Sequence, residues 1–266
     1  MTDTAKGLLE GRVVVLSGVG PGLGRHIAEN ACAAGASVMM GARSADFGEG
    51  LAGELCARYG RVAAFGRCDV TRDADCAALV AGAEDSFGGV DCVVANAAAM
   101  TRGATLESAD LDDWRPAFEV NLFGSLRLVK AALPALKRRG GGSVVFVGSQ
   151  IVRRVFPGRG PYAASKAALL TAAQVLAREL GPYRIRVNTV VPGRMWGEPL
   201  QRGLPRLAEE RGMTVEQQLQ RMRDDVSLPD LATDEECARA VIFLASDLSA
   251  AMTGQSIDTN AGETFH

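Results

Sequence analysis

The stretch from Val13 to Gly24 limits what this chain can fold into more than any other. Val13-Val14-Val15-Leu16 is a continuous apolar, mostly β-branched run. Such a run suits a strand buried on both faces of a parallel sheet. It passes straight into Ser17-Gly18-Val19-Gly20-Pro21-Gly22-Leu23-Gly24. A helical pattern follows, with Ile27, Ala28, Ala31 and Cys32 in step and a stop at Gly35. Strand, glycine turn and helix in that order can bind a pyrophosphate. The glycines let backbone approach the phosphates, and the helix N-terminus offers free N–H groups at the positive end of its dipole. Position 23 is Leu, so the spacing is G-x-x-x-G-x-G at Gly18, Gly22 and Gly24. A glycine turn by itself also serves as a tight structural turn; the strand before it and the helix after it are what point to a nucleotide.

The same alternation continues to the end of the chain. Further strands are expected at 36–40, 62–68, 92–95, 144–147, 185–191 and 255–258, with helices between them. Regular alternation argues for an α/β fold. It predicts a Rossmann-like, doubly wound, mostly parallel sheet of seven strands with right-handed crossovers and helices on both faces. The 266 residues suit a single domain over 1–266. A helix is predicted across 110–137, opened by acidic and closed by basic residues as the helix dipole favours. Asn121 falls in its middle, where Asn is a mediocre helix former. From about 194 to 226 the chain turns charged and Gln-rich, which reads as a mobile helical lid over a substrate. Thr233 with Glu236 three residues on predicts the start of a last helix.

Chemistry-bearing residues fall at predicted strand ends. Arg43 and Ser44 follow the second strand, where an acidic residue would hold a ribose 2′-hydroxyl and an Arg would accept a 2′-phosphate. The Arg favours NADP over NAD, with NAD still possible; Arg43 is also readable as a solvent-facing helix-start residue. Asp69 and Val70 end the third strand, and Asp69 is placed to accept from an adenine amino group. Asn96-Ala97-Ala98 leaves the fourth strand with small residues that let a nucleotide lie flat. Pro192-Gly193 leaves the sixth.

Tyr162 and Lys166 lie four apart on a predicted helix, hence on one face. A phenol titrates near 10, too high for easy proton exchange near neutrality, and an adjacent cation lowers that value. Only two histidines, His26 and His266, are present, which pushes acid–base work onto Tyr, Lys or a carboxylate. The net charge of −2 gives no reason to expect nucleic acid. Six scattered cysteines without a CxxC pair argue against a metal site or a disulfide framework and for a reducing compartment. With no apolar N-terminal core and no membrane-length apolar run, the expected location is the cytoplasm, with no membrane partner.

Taken together these motifs resemble the short-chain dehydrogenase/reductase family over nearly the whole chain. Gly18, Gly22 and Gly24 match its cofactor glycines, and Asp69 matches its adenine-ring Asp. Ala95-Asn96-Ala97-Ala98 is similar to its Asn-Asn-Ala-Gly element, and Asn260-Ala261-Gly262 to its C-terminal Asp-Gly-Gly. Asn121, Ser149, Tyr162 and Lys166 match its catalytic tetrad, Ser149 preceding Tyr162 by the family's interval. The resemblance implies hydride transfer between a nicotinamide cofactor and a secondary alcohol or ketone. Tyr162 would be the general acid–base, and Lys166 would lower its pKa and hold the nicotinamide ribose. Ser149 would bind the substrate oxygen, and Asn121 a water linking Lys166 to solvent. Gly20, Pro21, Leu23 and Met195 would also border the cofactor.

Substrate-pocket candidates by position are Met100, Gln150, Val152, Phe156, Met195 and Trp196; Arg102 and Arg154 could meet an acidic group or face solvent. Family members often assemble as homo-tetramers or dimers, and Ala163, Ala167 and Ala168 permit close packing of the tetrad helix. Two departures stand out. Gly197 occupies the place of a family Thr that contacts the nicotinamide carboxamide, and Ala98 leaves less room than the family Gly. Alternatives are an isomerase or dehydratase on the same sheet and a non-catalytic nucleotide sensor. An enoyl reductase would space Tyr and Lys further apart.

Overall fold

The computed structural model describes residues 7–60, 62–100 and 104–265. Its centre is a seven-stranded sheet in the order β3-β2-β1-β4-β5-β6-β7. The strands are β1 (Val13–Ser17), β2 (Ser37–Ala42), β3 (Ala63–Arg67), β4 (Cys92–Ala95), β5 (Gly142–Val147), β6 (Ile185–Pro192) and β7 (Ser256–Thr259). Every neighbouring pair runs parallel.

The opening apolar run explains the layers. Successive side chains of a strand point to opposite faces. Val14 and Leu16 enter one apolar cluster, with α1 (Leu23–Ala33), α2 (Ala45–Tyr59) and α9 (Asp234–Ala245). Val13 and Val15 enter the other, with α3 (Asp73–Phe87), α5 (Ser125–Arg138) and α6 (Gly160–Leu180). A strand covered on both sides needs apolar residues at every position, which is why the run does not alternate.

The stretch expected as one helix over 110–137 is broken. A 3₁₀ turn at Leu111–Trp114 leads into a short α4 (Arg115–Phe118). A wider π-helical segment, Glu119–Gly124, then precedes α5. The stretch expected as a lid holds two helices, α7 (Glu198–Glu209) and α8 (Val215–Asp224). Their buried faces form a small separate cluster around Leu204, Met222 and Leu231, with Trp196 packed against it. Thr233 caps α9, with Glu236 completing the reciprocal pair.

Strand order reverses between β1 and β4. In an open parallel sheet the crevice at the carboxyl ends of the strands at such a reversal is the ligand site.

Candidate functional site

The reversal is stitched together by the residues leaving β1 and β4. Gly18 has φ of +79°, a left-handed conformation, and a Cβ there would overlap the backbone of Asn96 and Ala97. Asn96 Nδ2 donates to Gly18 O at 2.8 Å. A Cβ at Gly24 would run into Gly18 O, so this glycine lets α1 start tight against the turn. Gly20 has nothing within 4 Å of its Cβ position. Pro21 is exposed, Gly22 caps α1 without a side-chain hydrogen bond, and Leu23 is buried as the first helical residue. The result is a hollow of backbone open at the positive end of α1.

Other strand ends border the same crevice. Arg43 and Ser44 are exposed beyond β2. Asp69 follows β3 and accepts from Thr71 N at 3.0 Å and Thr71 Oγ1 at 2.8 Å. Those two bonds, with help from the charge of Arg43, hold its carboxyl below its ordinary range. Val70 is buried under Gly124, Ala97 is half-buried and Ala98 exposed.

Ser149 follows β5, its hydroxyl accepts from Ile151 N at 3.3 Å, and it is close enough to the Tyr162 phenol to pull the phenol's pKa down. Tyr162 stands in the first turn of α6, with Lys166 one turn on. Lys166 is 2% exposed and donates Nζ–H to Val147 O at 2.7 Å. Burial pulls its pKa down to about 8. Tyr162 is raised from its ordinary value by burial, offset in part by Ser149 and Arg159.

Asn121 is fully buried, and the π-helical segment explains its place. Its Oδ1 accepts from Ala99 N at 2.7 Å, and its Nδ2 donates to Ala99 O at 3.1 Å and Ser165 Oγ at 2.9 Å. The side-chain amide thus ties the strand-exit loop to the residue preceding Lys166. Widened turns of this kind recur at functional sites.

The pocket candidates separate into two groups. Gln150, Val152, Met195 and Trp196 are buried or half-buried near Ser149 and the β6 exit. Met100 is 70% and Phe156 40% exposed. Arg102 lies outside the described residues. Arg154 carries Phe156 against its guanidinium, 5.5 Å from the ring centre.

Sequence reasoning passed over the network behind Gln150. Glu263, whose side chain is buried, accepts from Gln150 Nε2 at 2.6 Å and pairs with Arg194 at 3.0 Å and Arg154 at 3.4 Å. Asp225 at the end of α8 pairs with Arg194 at 2.9 Å, which holds its carboxyl below the ordinary range. The C-terminal tail, the foot of α8 and the Ser149 loop are thus tied together. Both arginines spend charge inside this network. No spacing signal marks it, because Gln150 and Arg154 lie more than 100 residues from Glu263 in sequence.

Sequence reasoning also missed Asp234. It is 3% exposed, and a Cβ at Gly197 would overlap its carboxyl. The space a side chain at 197 would use is already filled, which accounts for Gly at that position.

Comparisons place the chain among known proteins. The family model described as Enoyl-(Acyl carrier protein) reductase matches residues 18–264. The trans-4-hydroxycyclohexanecarboxylate dehydrogenase of Sinomonas cyclohexanicum is 36% identical over 258 residues, 95% of this chain and 93% of that protein. L-sorbose reductase of Gluconobacter frateurii, solved with NADPH and L-sorbose, superposes with a TM-score of 0.90 at 27% identity, covering 96% of this chain and 97% of its own. A 7α-hydroxysteroid dehydrogenase solved with NADH and 7-oxo glycochenodeoxycholic acid gives 0.87 at 27% identity, covering 98% of each chain. On the sheet order, the motifs and these matches, the chain belongs to the short-chain dehydrogenase/reductase family.

Proposed function

We propose that the protein is an NAD(P)-dependent oxidoreductase acting on a secondary alcohol or its ketone, with Tyr162 as the proton donor and acceptor. The observation that carries this is the proximity of Ser149 to Tyr162, at the carboxyl end of a sheet whose strand order reverses at the glycine hollow.

The residues present fit a dinucleotide. The hollow at Gly18, Gly20 and Gly22 leaves backbone accessible at the α1 N-terminus, as a diphosphate needs. Asp69 keeps a carboxylate at the β3 end for an adenine amino group, and Asn96, Ala97 and Ala98 form a low floor beside it. Val70, Pro192, Gly193 and Met195 border the same crevice. When bound, the nicotinamide supplies or accepts the hydride.

The protein's part is position and proton handling. In reduction the Tyr162 hydroxyl gives its proton to the carbonyl oxygen, and in oxidation the phenolate takes one from the alcohol. A buried phenol with a raised pKa is kept protonated near neutrality, which suits it to donate. Ser149 donates to the substrate oxygen as charge grows there. Lys166 has spent one of its three N–H donors on Val147 O, which leaves two for ribose hydroxyls. Asn121 holds the Ala99 backbone and Ser165, and so fixes the start of α6.

Arg43, exposed beyond β2, favours NADP through a 2′-phosphate; the structural relatives were solved with NADH and with NADPH. An alicyclic or otherwise apolar-bodied alcohol suits Val152, Met195 and Trp196 beside Gln150. Residues of α7 and α8 form a lid within a single domain. Half-buried Ala163 and Ala168, exposed Ala167 and Val175 at 51% exposure give α6 a face for a second copy of the chain.

A spectrophotometric screen of alicyclic alcohols, sugars and ketones against the NADP and NAD pairs tests the proposal, with an enoyl thioester included. Turnover on a secondary alcohol or ketone with NADP ahead of NAD is the expected result. Preference for NAD would retire the role of Arg43 alone. Turnover confined to the enoyl thioester would overturn the substrate class.

A further inference from the structure

The N-terminal end of α9 holds a buried carboxyl with an unpaired oxygen. Asp234 is the first residue of α9 and is 3% exposed, yet its Oδ2 has no hydrogen-bond partner. Among the described residues it makes no ion pair with Lys or Arg. A buried, unpaired polar atom costs about 1–3 kcal/mol, so its surroundings should explain it.

Those surroundings point at the α1 N-terminus. Asp234 Oδ2 lies 3.5 Å from the Cβ position of Gly22, the residue that caps α1, and Pro199 Cγ lies 3.1 Å from the same point. On the other side the carboxyl fills the space that a side chain at Gly197 would need. Two glycines therefore let the Asp234 carboxyl pack directly against their backbone, so that only Gly22 and the Pro199 ring stand between Oδ2 and the α1 N-terminus, where a diphosphate would be held by backbone N–H groups.

An ionised carboxylate there would repel that diphosphate at short range in a site shielded from water. A protonated one is a donor. We propose that Asp234 meets the dinucleotide's diphosphate as a protonated acid, donating O–H to a phosphate oxygen, so that binding takes up one proton from solvent. The inference rests on the dinucleotide reading above and adds to it a pH-dependent contact from a residue that neither the glycine motif nor the tetrad includes.

The neighbouring groups agree with this. Burial raises the Asp234 pKa from its ordinary value, and the His26 imidazole of α1 offsets that in part. On α9 itself, Glu235 pairs with Arg239, and Glu236 caps Thr233. Glu198, beside Gly197, pairs with Arg202. Cys237 is a buried thiol pushed up to about 11. Strands β5, β6 and β7 meet α9 through Val145, Val147, Val190 and Ile257, while Asp258 faces Arg153 at 3.6 Å. His26, the group of α1 that acts on Asp234, is the one that needs a control.

The test is titration calorimetry with ADP-ribose, which carries the diphosphate without the nicotinamide. It is run in buffers of different ionisation enthalpy between about pH 5 and pH 9, on wild type, Asp234→Asn and His26→Gln. Wild type is expected to take up close to one proton per ADP-ribose somewhere in that range. Its Kd should weaken about tenfold per pH unit above the free-state pKa of the acid. Asp234→Asn keeps a donor, so it should match wild type at low pH, bind with little pH dependence and take up no proton. His26→Gln should keep the uptake. If Asp234→Asn melts early, Asp234→Ser replaces it with the same expectation. Binding without uptake in wild type, or uptake that survives in the Asn or Ser variant, would overturn the inference and leave the dinucleotide reading standing. Failure of ADP-ribose to bind would overturn both.

Discussion

Lys166 is where the spacing of the sequence and the geometry of the fold diverge. An i, i+4 pair puts both side chains on one face, and that much holds for Tyr162 and Lys166. It does not say which acceptor the ammonium takes, and Val147 O at 2.7 Å takes it. Burial leaves Lys166 with a pKa of about 8, against 10.5 for a free side chain. Between those values the unfolded chain binds more protons than the folded one, so the Lys166 contribution to stability rises with pH across that window. Below about pH 8 both states are protonated and the penalty for burying the charge is present in full. The difference in unfolding free energy between wild type and Lys166→Met should therefore move toward wild type by up to ~3 kcal/mol from about pH 8 to pH 10.5. Urea titrations at several pH values measure it, and the buried cysteines cancel because both proteins carry them. A difference that stays flat across that window would mean that the ammonium is solvated.

At the scale of elements, the broken helix around Asn121 matters most. A mediocre helix former in the middle of a predicted helix hinted that this position has a task, and the π-helical segment shows the local shape of it. Asn121 satisfies both backbone groups of Ala99 and the hydroxyl of Ser165. Asn121→Ala removes three hydrogen bonds and leaves buried groups unpaired. It should destabilise the fold by about 2–3 kcal/mol and lower turnover, since Ser165 adjoins Lys166. Chemical denaturation checks the first effect, and a loss below about 0.5 kcal/mol would show that water replaces the amide. The elements themselves were legible in sequence because strand runs and glycine stops are local signals. Helix pitch within 110–137 was not, since the pull on Asn121 comes from Ala99 and Ser165, far away along the chain. The Glu263 network and the Gly197–Asp234 fit escaped for the same reason: each joins residues that only the folded sheet brings together. Gly197 registered as a missing hydroxyl, when it is the clearance for a carboxyl that enters from α9.

For the whole molecule, the order β3-β2-β1-β4-β5-β6-β7 gathers every strand-exit motif along one edge. The doubly wound sheet was readable from the alternation of elements and the unbroken apolar strands, whose alternate residues fill two separate cores. Among the described residues no helix is long and apolar enough to cross a membrane, and no group of His, Cys, Asp and Glu could hold a metal ion. Along that edge the account asks one residue to carry the proton. The measurement that tests it most directly is Tyr162→Phe, with turnover and dinucleotide affinity read on the same preparation. The phenol ring stays and only the hydroxyl goes, so cofactor Kd should remain within about threefold while kcat falls by about 10²–10⁴-fold. Turnover near the wild-type level in that variant, with the cofactor still bound, would contradict the assignment of Tyr162 as the acid–base group.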